Sequence, residues 1–110
     1  MAALLLATGM AVASSQQEID HLLEFVASSD CRYERNGTMH GGQEASDHIR
    51  MKYDYYKNRV ETAEEFIRYS ATKSKLSGKK YRIHCPGTGV IDSSDWLLQE
   101  LKKYRLSEAG

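Results

Sequence analysis

The reading of the fold turns on Cys31–Tyr56, CRYERNGTMHGGQEASDHIRMKYDYY. Its pivot is Asn36-Gly37, the pair that suits a two-residue type I′ turn because both central residues must take positive φ. Before the turn, Cys31-Arg32-Tyr33-Glu34-Arg35 alternates as a short, half-exposed strand. After it, Thr38-Met39-His40 supplies the return strand and Gly41-Gly42 breaks it. The apolar period then changes from two to 3.6, and Ala45, Ile49, Tyr53, Tyr56 and Val60 form the buried stripe of a helix over about 43–60. His48, Lys52, Tyr55 and Arg59 recur along an adjacent face of that helix.

Working outward, Ser15-Gln16-Gln17-Glu18 reads as a capping box ahead of Ile19, Leu22, Leu23 and Val26. That predicts a first helix over 16–29 with its acids turned outward. Thr62-Ala63-Glu64-Glu65 is a second capping box, opening a helix that packs through Ala63, Phe66, Ile67 and Ala71 and ends near Thr72. Residues 73–80, KSKLSGKK, form a polar loop around Ser77-Gly78. Tyr81-Arg82-Ile83-His84-Cys85 alternates again, with Tyr81, Ile83 and Cys85 on the core side. Pro86-Gly87 and Thr88-Gly89 make a turn-rich link to a last helix that starts near Ser93 or Ser94 and packs through Trp96, Leu97, Leu101 and Tyr104. The expected fold is therefore α+β, with about four helices on a small antiparallel sheet made by the 31–40 hairpin and the 81–85 strand.

At 110 residues the chain has room for one core. Its 41% hydrophobic and 27% charged content is that of an ordinary globular domain. A formal charge of zero and a pI near 6.9 exert no general attraction on nucleic acid or anionic membrane. The charge is unevenly placed, however. Residues 14–30 hold four acids and no Lys or Arg, whereas residues 73–85 hold Lys73, Lys75, Lys79, Lys80 and Arg82 and no acid. The basic cluster is expected to be a solvated loop face, with an anion site as the alternative.

The uncharged run from Ala2 to Ala13 ends in Ala11-Val12-Ala13, the small-x-small pattern of a signal-peptidase site. Twelve helical residues reach about 18 Å, short of the roughly 30 Å core of a bilayer. Residues 1–13 are thus read as an export signal and 14–110 as a single periplasmic domain, with no membrane span left after cleavage. No Lys or Arg precedes the run, so its usual basic leader is expected upstream of Met1. Export gives the two cysteines a meaning, because an even pair in an oxidising compartment forms a disulfide. A Cys31–Cys85 bridge closes 54 residues and is expected to contribute about 4 kcal/mol in the chain-entropy model. A metal pair or catalytic thiol needs neighbours such as a Cys-x-x-Cys spacing, which the sequence lacks.

His48 lies one helical turn from Lys52, whose ammonium favours a neutral, basic imidazole. The competing role is a half-buried histidine bonded to the sheet or to Glu44. His21, His40, His48 and His84 show no i, i+3 or i, i+4 pairing and no His-Glu-x-x-His, so neither metal nor cofactor is expected. Hydroxyls, a glycine and lysines in the 73–80 loop suit a carboxylate or phosphate but do not match a nucleotide P-loop. Asn36, His48, Lys52, Ser77 and Tyr81 form the candidate binding surface if hairpin, long helix and loop converge.

Cys31, Arg35-Asn36-Gly37, Ala45, His48, Lys52-Tyr53, Phe66-Ile67, Ser77-Gly78, Tyr81, Cys85 and Trp96-Leu97 occur in the order and spacing that resembles the YfeK-like family of small exported proteobacterial proteins. The resemblance covers about Ile19 to Tyr104 and implies a periplasmic, paired-cysteine domain; it brings no known activity, cofactor or catalytic residue. Two positions depart from it: Met39-His40 stand where an aromatic follows the turn, and Lys80 stands where a proline precedes the tyrosine. The expected function is a non-catalytic module, monomeric, that binds a small ligand or an envelope protein and no nucleic acid. A small envelope hydrolase or transferase with His48 as base, aided by Ser77 or Tyr81, is the alternative from another class. A third is an inhibitor that presents the hairpin tip to an envelope enzyme.

Overall fold

The computed structural model describes residues 13–109. The 1–12 part of the expected export signal lies outside the described residues. Four helices pack on a four-stranded antiparallel sheet, so the α+β expectation holds with one strand more than expected. Helix α1 (Ser15–Ala27) is followed by β1 (Arg32–Arg35) and β2 (Thr38–His40), then by α2 (Gly42–Tyr56) and α3 (Ala63–Ser70). Strands β3 (Arg82–His84) and β4 (Val90–Asp92) lead into α4 (Ser93–Ala109), and the sheet order is β2-β1-β3-β4.

The hairpin forms as its turn chemistry requires, with Asn36 at φ 52° and Gly37 at φ 82°. Tyr33 pairs with His40 on one side and Ile83 on the other, which makes β1 a central strand. The β1–β3 register sets Arg32 opposite His84, so one step further along the ladder Cys31 faces Cys85. The disulfide joins them there across a Cα separation of 4.2 Å.

Strand β4 escaped the sequence reading. Val90-Ile91-Asp92 is too short to show a period and lies beside glycines that read as a link. It becomes a strand because Gly87, at φ 76°, turns the chain back so that Ile91 meets Ile83. The first capping box sits one residue earlier than expected, with Ser14 capping Gln17. The second is as expected, Thr62 with Glu65. Helix α2 stops at Tyr56 and continues as a 3-10 turn, Lys57–Arg59. This turns Tyr56 and Val60 into half-buried rim residues, while Ala45, Ile49 and Tyr53 stay in the core. Trp96 and Tyr104 are likewise half-buried, and Leu97 and Leu101 are buried.

Gly42 allows α2 to start against the end of α1. A Cβ there would lie 2.5 Å from the Val26 carbonyl oxygen and 2.9 Å from that of Ala27, closer than van der Waals contact permits.

Not all acids of α1 face outward. Glu18 is buried (6% exposed), and both of its oxygens accept bonds from Arg105 of α4, at 2.8 and 2.9 Å. The same guanidinium donates to Glu64 of α3 at 2.6 and 3.0 Å. Three helices are thereby joined at one arginine by paired, charge-assisted bonds. Glu18 precedes the apolar stripe by one position, and its partner lies 87 residues away, beyond the reach of local periodicity.

Candidate functional site

Lys52 is the hub of the candidate surface. On α2 it stands one turn from His48, and both side chains are half-buried over the sheet. Its Nζ donates to Tyr81 Oη at 3.0 Å and to the Lys73 carbonyl at 2.9 Å. It also lies 4.9 Å from the centre of the Tyr81 ring. His48 meets that ring edge-on, with centroids 6.1 Å apart. Tyr81 is fixed from both ends of its peptide: its N–H donates to Thr72 O and its carbonyl accepts from Ser93 N. It is buried at 2% exposure, on the core-side parity expected of it.

Asn36 and Ser77 form a second contact. Ser77 Oγ donates to Asn36 Oδ1 at 2.6 Å and accepts from Lys79 N at 3.1 Å. Gly78, at φ 74°, lets the 73–80 loop fold back, and Ser74 N donates to Lys79 O across it. The hairpin tip is therefore tied to the loop. The five residues singled out from the sequence fall into two contact groups, His48–Lys52–Tyr81 and Asn36–Ser77, both joining the first half of the chain to residues 73–81.

The residue that the sequence reading left out of this surface is Arg35. It shares the inward parity of β1 with Tyr33 and is half-buried, with Nη1 enclosed and without a hydrogen-bond partner among the described residues. An arginine at an inward position of a half-buried strand was the available signal. Its charge is felt by its neighbours. Burial, then Arg35, then Lys52 and His40 bring the His48 imidazole down from 6.5 to about 4. Burial, Arg35 and Lys75 lower the proton affinity of Lys52 in the same way. Each named influence on Lys52 disfavours its charge; no acid offsets them.

His48 is accordingly a neutral imidazole near pH 7. Its Nε2 is enclosed and has no partner among the described residues. Glu44, which with the sheet is one of the two partners considered for it in the competing role, lies 3.0 Å from His40 Nδ1. His40 ends β2 four residues before Glu44 in the first turn of α2, which puts the two within reach. Ser77 Oγ is engaged by Asn36 and Lys79 rather than by His48. Among the described residues no three His, Cys, Asp or Glu side chains gather in a metal-ligand cluster.

The profile of a family of unknown function, DUF5329, matches residues 13–105. The chain belongs to this family. The uncharacterized protein YfeK of Salmonella typhimurium is similar to it, 37% identical over 70 residues. That match takes in 63% of this chain and 58% of the relative, so the chain spans less than two thirds of that protein's length. The YfeK-like resemblance read from the sequence is thus borne out at the level of the family. No solved structure matches. No helix among the described residues is long and apolar enough to cross a membrane.

Proposed function

We propose that this chain is a non-catalytic binding module of the bacterial periplasm, working through Asn36, His48, Lys52, Ser77 and Tyr81, with Arg35 as a sixth member. The observation that carries the reading is the convergence of three separate segments on Lys52 Nζ and Asn36 Oδ1. Convergence of polar groups that are already held in place suits recognition, because little side-chain entropy remains to be lost on binding.

The same contacts weigh against the two alternatives. A hydrolase with His48 as base needs its Nε2 within hydrogen-bond reach of a hydroxyl, and Nε2 is enclosed without one. An inhibitor that inserts the hairpin needs a free tip, and Asn36 is bound to Ser77. The Cys31–Cys85 bridge supports an oxidising compartment, in keeping with the apolar run at residues 2–13.

The test is a thermal-shift screen of the oxidised protein against small metabolites and envelope-derived fragments, run beside the His48→Ala/Lys52→Ala double variant. Ligands that raise the melting temperature of the parent and not of the variant are the expected result. Hits that stabilise both proteins equally place binding elsewhere and overturn the surface. Two free thiols in protein recovered from cells would remove the periplasmic assignment.

A further inference from the structure

Beside the Lys52–Tyr81 contact lies a groove of about 430 Å³ whose walls include Lys52, Tyr56, Arg68, Tyr69, Lys73 and Lys75. Lys80 also lines it and stands 3.5 Å from Asp92. The other four cations make no ion pair among the described residues, and no acidic side chain lines the groove. The whole chain carries 15 basic and 15 acidic residues, so a wall with five cations and no acid departs sharply from its average.

Three of the five cations, Lys52, Arg68 and Lys75, lie over aromatic rings. Lys75 Nζ lies 5.6 Å from the ring centres of both Tyr55 and Tyr56, and the Arg68 guanidinium lies 5.2 Å from that of Tyr69. The rings of Tyr56 and Tyr69 are 5.3 Å apart and tilted by 31°, offering an apolar face between the charges. Lys52 has three N–H donors, of which Tyr81 and Lys73 take two. One remains. The Arg35 guanidinium adds positive potential at Lys52.

We infer that this groove binds a small organic anion, a phosphate or carboxylate carried on a ring, with the anionic group between Lys52 and Lys75 and the ring against Tyr56 and Tyr69. The inference rests on the proposed binding surface, with which it shares Lys52, and gives that surface its ligand class. A bare ion would use the charges and leave uncovered the ring surface that Tyr56 and Tyr69 contribute to the groove wall. A neutral ring would use the faces and leave the mutual repulsion of the cations unrelieved.

The inference is tested by amide NMR of the oxidised protein at low salt, titrated separately with glucose 6-phosphate, glucuronate, glucose and inorganic phosphate at about 1 mM and above. At least one charged sugar is expected to shift Lys52, Tyr56, Tyr69 and Lys75 in a saturable way, and the two sugars separate phosphate from carboxylate. Added salt weakens the binding, and the exposed-site variant Arg68→Gln/Lys75→Gln weakens it about tenfold or more. Equal responses to glucose, shifts scattered over all charged residues, or unchanged affinity in that variant overturn the inference. Inorganic phosphate binding as tightly as glucose 6-phosphate removes the ring. A screening hit that is neutral and is lost in His48→Ala/Lys52→Ala leaves the proposed function standing without this ligand class. Anion binding that survives Asn36→Ala/His48→Ala keeps the groove and discards the wider surface.

Discussion

The molecule treats buried charge in two ways. At the helical end, Glu18 is taken out of water and Arg105 meets it with two hydrogen bonds, while two more bonds from the same guanidinium hold Glu64. At the sheet end, Arg35, His48 and Lys52 share a half-buried neighbourhood in which no carboxylate among the described residues pairs with them. The first arrangement hangs on one member: removing Arg105 leaves two carboxylates, one of them buried, without their cation. The second is incomplete, because its members weaken one another's charges. A fold retains stability more readily by closing such a set than by leaving it open, so the open set is where a binding partner is to be sought.

Arg105→Ala should have the largest effect, because it strands Glu18. A loss of about 2 kcal/mol is expected, read as a lowered urea midpoint. A change within about 0.5 kcal/mol, the ordinary range for surface substitutions, would erase the distinction between the two ends.

Acid separates them next. The His48 imidazole is lowered from 6.5 to about 4 in the fold, so the unfolded chain takes up its proton first. Its contribution is fully present above pH 6.5 and is lost as the pH falls toward 4. Glu64 is held below its usual 4.5 chiefly by the bond from Arg105, so its contribution is present above 4.5 and is lost only as the pH falls below that. Urea melts at pH 7 and pH 5 should therefore differ, and His48→Leu should reduce the difference. An unchanged difference in His48→Leu would assign the pH dependence to another group.

The smallest change in stability is expected from Arg35→Leu. It removes an unpartnered donor and a like charge at once, so stability should stay level or rise by up to about 1 kcal/mol. In the same variant the His48 titration, followed by NMR, should move upward from about 4 while staying below 6.5, since burial is its larger cause. A marked loss of stability would mean that Arg35 is as structural as Arg105.

How much of this was legible depended on sequence range. The hairpin was readable because Asn36-Gly37 encodes its own backbone angles, and α3 because Thr62 and Glu65 cap it from within three residues. Strand β4 exists through its pairing to β3, and three residues carry too little pattern to announce that. Asn36, His48, Lys52, Ser77 and Tyr81 were singled out as one surface on the condition that hairpin, long helix and loop converge; the contacts pair Lys52 with Tyr81 and Asn36 with Ser77, and Arg35 was not among the residues named. Glu18 was missed for a related reason: its burial is decided by Arg105, at the other end of the chain.

The bridge between Cys31 and Cys85 has a mechanical consequence. Every residue of the candidate surface lies within the 54-residue loop it closes, while α1 and α4 lie outside. Tension applied at the two ends of the chain runs down α1, through the sulfur–sulfur bond and out along α4, and bypasses the loop. The oxidised domain is thus expected to yield about 190 Å less extension when pulled apart than the reduced one, with the slack that never loads belonging to the part of the molecule that carries the proposed binding surface.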